Sequence, residues 1–236
     1  MAEETMEQGL RRKERAVNYN AWLYERNRPH LGAKVLDLGA GIGTFSRRLA
    51  EDAELVVACE PDAELLPQLR DAVAGLANVR VIATDVARLD PGELGTRFDA
   101  IVCSNVLEHV PDHEQALRRA YELLEPGGRL LLLVPAHEAL FGPIDRALGH
   151  ERRYGKTELH RLLAGAGFRV ATLRYVNPIG AVGWLVAGRV LRRGSVPAGQ
   201  QELYDRLVPL LRVLDTVELP FGLSLWAVAV RPAASA

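Results

Sequence analysis

Asp37, Gly39, Gly41, Gly43 and Glu60 are the residues of this 236-residue chain best suited by type and spacing to hold a ligand. An apolar run (Val35, Leu36, Leu38) ends at Gly39-Ala40-Gly41-Ile42-Gly43, a helix-period stretch follows through Phe45 and Leu49, and a second apolar run, Leu55–Cys59, stops at Glu60. A turn without side chains lets backbone approach a ligand closely, and a carboxylate at the end of the next strand can hold both hydroxyls of a ribose. That is the chemistry of a nucleoside pocket. The spacing is G-x-G-x-G, and Thr44 stands where a dinucleotide fingerprint needs its third glycine. Asp37 beside the turn suits an ammonium group better than a pyrophosphate. Taken alone, the stretch also reads as a βαβ turn with no ligand. A second polar concentration, His137, Asp145, His150, Arg152, Arg153 and Tyr154, falls in one loop and offers groups for proton transfer near neutral pH.

These residues need a sheet to position them. Asn78–Ala83 reads as a third strand ending at Thr84-Asp85-Val86. Phe98–Cys103 reads as a fourth, running into Ser104-Asn105-Val106-Leu107-Glu108-His109-Val110-Pro111-Asp112. A helix over Glu114–Leu124 and a turn at Glu125-Pro126-Gly127-Gly128 lead to a fifth strand, Arg129–Val134. Strands alternating with helical segments predict an α/β fold with a parallel sheet, whose ligands lie at the carboxyl ends of the strands. The loop over residues 135–155 leaves the fifth strand at that end.

The run from Val35 to Asp62, the acid Asp85, the Asn105–Val110 string and the Pro126-Gly127-Gly128 turn together resemble the class I S-adenosylmethionine-dependent methyltransferases. The resemblance implies a Rossmann-like seven-stranded, mainly parallel sheet of order 3-2-1-4-5-7-6. Strand 7 would be antiparallel, with Phe168–Tyr175 as the sixth strand and Leu223–Val230 as the seventh. It also implies S-adenosyl-L-methionine as cofactor, S-adenosyl-L-homocysteine as product, and a cofactor site of Asp37, Gly39, Ala40, Gly41, Glu60, Pro61, Asp85, Val86 and Asn105. The helix over Val17–Asn27 either caps the sheet edge or closes over the cofactor, with Tyr19 near its carboxylate. Gly149-His150-Glu151-Arg152-Arg153-Tyr154, preceded by Asp145, resembles a loop found in a small-molecule branch of that family.

Methyl transfer is an in-line displacement, so the protein mainly aligns nucleophile, carbon and leaving sulfur. A base is needed only for an acceptor that is protonated at neutral pH. His150 is the first expectation for it and His137 the second, with Asp145 orienting an imidazole. Tyr154 would then contact the acceptor, and Arg152 or Arg153 an anionic group on it. Hydrogen bonds that fix the loop are the plainer reading of each. No metal is expected: Pro111 breaks the helical face that would pair His109 with His113, and His137, Asp145 and His150 would converge only through a particular fold. Catalytically inactive cofactor binding and an NAD-dependent oxidoreductase are the competing readings.

A formal net charge of −1 and the absence of an added recognition domain disfavour nucleic acid as acceptor. A small or lipophilic molecule is expected instead. Two cysteines placed in buried strands and a polar N-terminus fit a reducing, cytoplasmic setting. The whole chain, 1–236, reads as a single domain with residues 1–30 as an N-terminal cap and 177–221 as a helical insertion on the substrate side. Within the insertion, Ile179–Arg192 is apolar on nearly every face, so it must be buried in something. It is too short to span a bilayer. Its own cleft, a second subunit in a homodimer and the surface of a membrane all stay open. Leu203, Leu207, Leu210, Leu211 and Leu214 recur at helix spacing in the segment 200–217, and packing is their expected use.

Overall fold

The computed structural model describes residues 16–186, 198–213 and 217–233. Seven strands form one sheet: β1 (Lys34–Leu38), β2 (Leu55–Cys59), β3 (Val79–Ile82), β4 (Phe98–Ser104), β5 (Leu124–Pro135), β6 (Arg169–Val176) and β7 (Ser224–Val230). Their order is β3-β2-β1-β4-β5-β7-β6, with β7 antiparallel to both neighbours. Fold class and order are those expected from the sequence. The central strands carry apolar residues on both pleats because helices cover both faces, as parallel sheets require.

On one face Leu36, Leu38, Ile101, Cys103, Leu130 and Leu132 pack against α5 (His113–Leu123) and α7 (Lys156–Gly165). On the other, Val35, Val56, Val102, Leu133 and Trp226 pack against α1 (Val17–Asn27) and α2 (Thr44–Asp52). The helices α3 (Leu66–Ala72), α4 (Pro91–Leu94) and α6 (Pro143–Ala147) also lie among the described residues before β6. The turn expected at Glu125–Gly128 is instead part of a strand. Helix α5 ends at Leu123, β5 begins at Leu124, and the register against β4 shifts between Phe98 and Ala100 to absorb the glycines.

Between β6 and β7 lie α8 (Pro178–Trp184) and α9 (Ala198–Leu211). The chain itself leaves much of their apolar surface uncovered, so of the burial partners considered for α8 its own cleft is the one not seen over residues 179–186. Ile179, Val182, Leu185 and Val186 are exposed, and Pro178 and Ala181 are the residues of α8 that are buried. In α9, Leu203, Leu207 and Leu210 face outward, Leu210 at 77% exposure, while Tyr204, Asp205 and Val208 point in. The inward register is fixed by polar bonds. Tyr204 donates to the Asn177 side chain (2.7 Å), and Asp205 accepts the backbone N–H groups of Asn18 and Tyr19 (3.3 and 2.9 Å). Residues 187–192 and Leu214 lie outside the described residues.

Candidate active site

The first turn is built from left-handed glycines: Gly39, Gly41 and Gly43 have φ of 72°, 56° and 85°. Gly39 and Ala40 both donate to Cys59 O (2.9 Å each), which folds the turn over the end of β2. A β-carbon on Gly39 would lie 2.4 Å from Val106 Cγ2, so the turn can approach the loop after β4 this closely only as glycine. The buried Glu60 takes the Gly41 N–H on Oε2 (2.7 Å) and the Asp62 N–H on Oε1 (2.9 Å). Burial raises its pKa, and the two N–H donors oppose the rise. An ionised carboxylate has about four lone-pair positions, so two remain for a diol.

Asp37 is buried and accepts a hydrogen bond from Ser46 Oγ of α2 (2.6 Å). Burial lifts its pKa to about 6, with the Glu60 charge adding to the rise and Ser46 opposing it. A cation brought to this carboxylate would relieve that cost. Pro61 follows Glu60 directly on the same edge. Asp85 is part-exposed and starts a 3-10 turn over Val86–Arg88 by accepting the Arg88 N–H (3.2 Å); Val86 beneath it is buried. Asn105 has φ of 55° and donates its N–H to Leu133 O (2.8 Å). Tyr19 lies half-buried on α1, 5.5 Å from the Trp22 ring and 6.3 Å from Tyr204. These groups fit an adenosyl ligand: a carboxylate for a ribose, a buried acid for a cation, and a side-chain-free turn between them.

Three non-glycine residues have a left-handed backbone among the described residues: Asn105, His137 and Asn177. They follow β4, β5 and β6, all at the carboxyl edge of the sheet. Val176 pairs with Ser224, and Ser224 with Pro135, so Asn177 and Ala136 stand at the same level on either side of β7, with His137 one residue further on. Such conformations cost about 1–3 kcal/mol each and gather at functional sites. His137 stacks on Tyr175 (4.7 Å, 10° between planes), and burial plus the nearby Arg153 charge lower its pKa. Its imidazole is therefore neutral at pH 7.

The other loop residues are turned inward. Asp145 is fully buried; Oδ1 accepts from Arg153 Nε (2.7 Å) and His150 Nδ1 (3.0 Å), and Oδ2 from Gly142 N (2.9 Å). Burial alone would raise its pKa, but the His150 bond and the Arg153 charge outweigh that and hold it below the usual carboxylate range. His150 is thus oriented by Asp145, yet its Nε2 faces the buried Glu108 (3.9 Å to Oε1) and not an open cleft. Tyr154 is fully buried and donates to Leu107 O (3.1 Å), with His113 Nδ1 at 3.0 Å from its hydroxyl. It cannot meet an acceptor without leaving the core. Arg152 binds Val110 O and Pro111 O, and Arg153 binds Ala136 O and stacks over Trp184. Both guanidiniums hold loops together.

Residues 7–173 match the methyltransferase domain family. The chain belongs to that family. Its members are S-adenosyl-L-methionine-dependent methyltransferases. Over 105 residues it is 36% identical to the ubiquinone biosynthesis O-methyltransferase of Xanthomonas euvesicatoria, covering 43% of this chain and 42% of that protein. Over 121 residues it is 33% identical to the ubiquinone/menaquinone biosynthesis C-methyltransferase of Haemophilus ducreyi, covering 49% and 46%. The matches therefore span less than half the length of these curated relatives. The fold is also that of the N-methyltransferase NodS from Bradyrhizobium japonicum, solved with S-adenosyl-L-homocysteine (TM-score 0.58, 14% identity, 96% of this chain and 87% of that one).

Nothing in the sequence marks Ser46 or Glu108 as site residues. Ser46 reads as an ordinary helical serine, and its bond to Asp37 spans nine positions. Glu108 sits in a helix-like string where acids are usually solvated, yet it is fully buried.

Proposed function

We propose that the protein transfers a methyl group from S-adenosyl-L-methionine to a small, lipophilic acceptor carrying an ionisable hydroxyl. The observation that carries this reading is His137 at the carboxyl edge of β5, with a positive φ, stacked on Tyr175 and with its pKa lowered by burial and the Arg153 charge. When bound, the cofactor supplies a methyl group on a sulfonium with a good leaving group. The chain's own work is to hold and to deprotonate. Glu60 takes the ribose hydroxyls, Asp85 the adenine amino group, Asp37 and the Gly39–Gly41 backbone the charged end, and Asn105 the methionine side. His137 Nε2 is buried with no hydrogen-bond partner among the described residues, and once the loop shifts to admit the acceptor it would take the proton of the attacking hydroxyl. His150, Asp145 and Tyr154 keep the loop in place behind it.

The exposed apolar residues of α8 and α9, both within the insertion, support a lipophilic acceptor. Such a surface would also meet a membrane interface through residues 179–186. No helix of the described residues is long and apolar enough to cross a membrane. The two curated relatives act in ubiquinone biosynthesis, which agrees with an acceptor of this class.

Calorimetry with S-adenosyl-L-homocysteine and with NAD tests the donor half; NAD binding without adenosyl binding would overturn it. Labelled methyl from the cofactor should appear in the organic extract of a cell lysate incubated with the enzyme. Label confined to the aqueous phase would exclude a lipophilic acceptor.

A further inference from the structure

We infer that Glu108, His109 and His150 form a binding site for one divalent transition-metal ion of the zinc class. One ligand atom from each of the three lies within 4.8 Å of the other two. They come from two segments, the turn after β4 and the loop after β5, joined by the Glu151 N–H on Glu108 O (3.0 Å). The His109 and His150 rings stand edge to face, 4.9 Å apart.

The second neighbours of the histidines favour a metal. His109 Nδ1 lies 3.1 Å from Gly149 O, and His150 Nδ1 lies 3.0 Å from Asp145 Oδ1. Both partners are acceptors, so each Nδ1 carries the proton and Nε2 is left as the ligating nitrogen. Metal-binding histidines are characteristically tied in this way, one ring N–H on a carbonyl or carboxylate. Asp145 is itself held by Arg153 and Gly142, which fixes the His150 ring.

Charge points the same way. Glu108 and Asp145 are fully buried acids, and Arg153 is the buried guanidinium among them. Arg153 faces both buried carboxylates with a single positive charge, so a metal ion would add to a compensation shared between them. Two imidazoles and one carboxylate suit zinc, cobalt or iron(II) and not magnesium or calcium, which want oxygen. A tetrahedral ion with bonds of about 2.1 Å holds its donors about 3.4 Å apart. The 3.9 Å from His150 Nε2 to Glu108 Oε1 would therefore close by about half an ångström.

The test is cobalt(II) titration of chelator-treated full chain, followed by visible absorption, with zinc competition. One equivalent per chain, displaced by zinc, is expected. Glu108→Gln and His109→Ala should each weaken binding more than about 100-fold, and Asp145→Asn about 10–100-fold. His160→Ala, at an exposed position outside the cluster, should leave it unchanged. For any variant that fails to fold, zinc-edge anomalous diffraction from the wild-type protein replaces it, with a peak expected between the three side chains. No stoichiometric binding, cobalt binding indifferent to Glu108→Gln and His109→Ala, or an anomalous peak elsewhere would overturn the site. Calorimetry with S-adenosyl-L-homocysteine on the same samples reads the cofactor site separately.

Discussion

Asp205 caps a helix that begins 188 positions before it: its Oδ1 accepts the N–H of Tyr19 at 2.9 Å, and its Oδ2 the N–H of Asn18 at 3.3 Å. Ala16, the residue in the capping position of α1, has no side chain to do this. The first turn of a helix has four N–H groups without intrahelical partners, and a carboxylate there also meets the positive end of the helix dipole. Helices α1 and α9 are thus joined at the start of α1.

Replacing Asp205 by Ala should cost about 1–2 kcal/mol, read as a lower urea midpoint. Amide exchange should quicken at residues 17–20 and stay slow in β4 and β5. Uniform quickening would mean that the cap supports the whole domain and not the α1–α9 contact.

Asn177 does two things at once, and two substitutions separate them. Its left-handed backbone (φ 61°) suits glycine, while its Oδ1 accepts from Gly180 N and Tyr204 Oη at 2.7 Å each. Asn177→Gly should lose the hydrogen bonds alone, about 1–2 kcal/mol. Asn177→Ala should lose a further 1 kcal/mol or so from backbone strain. Equal melting temperatures for the two would remove strain from the account.

The fold was legible because parallel strands buried on both faces write continuous apolar runs, and because Gly39, Gly41 and Gly43 occupy positions that only glycine takes easily. The residues proposed for the cofactor lie on those strands or just past them: Asp37 within β1, Gly39, Glu60 and Asn105 one position beyond β1, β2 and β4, and Asp85 three beyond β3. The catalytic side was not legible in the same way. His137, Asp145, His150 and Tyr154 share a loop, and which of them points outward depends on the Asp145–Arg153 and Tyr154–Leu107 hydrogen bonds and the approach of His150 to Glu108, which local pattern does not encode. The α9 leucines show the same limit. Their spacing is correct for a packed face, but Tyr204 and Asp205 have specific polar partners and take the inward side.

His137→Ala should lower kcat about 100- to 10,000-fold and leave the affinity for S-adenosyl-L-homocysteine within a factor of two or so. Its lowered pKa sets the pH behaviour. A base whose pKa lies below the usual imidazole value stays deprotonated as pH falls through 6.5. The acid limb of kcat/KM should therefore lie below that of a free imidazole. A limb at or above pH 6.5 would point to another group.

Asp37→Asn should trade function for stability. The raised pKa, about 6 against an ordinary 3.8, means that the folded protein pays to keep this carboxylate ionised above pH 6. Removing the charge should stabilise the cofactor-free protein at pH 7 by up to about 3 kcal/mol. That gain should shrink between pH 6 and pH 4, where wild-type Asp37 takes up its own proton. Cofactor affinity should fall in the same variant. Thermal unfolding with and without S-adenosyl-L-homocysteine at the two pH values reads both effects.

The bonds that join α1 to Asp205, and Asn27 Oδ1 to Trp226 Nε1 at 2.9 Å, set an order of events during synthesis. At about 5–20 residues per second, the residue that caps α1 is made roughly 10–40 seconds after the helix it caps. The first helix leaves the ribosome with no carboxylate at its start and an apolar face still uncovered. A nascent chain stopped before residue 205 would carry the complete glycine turn and Glu60, but with α1 still unsecured, which makes that helix the segment on which a chaperone would act.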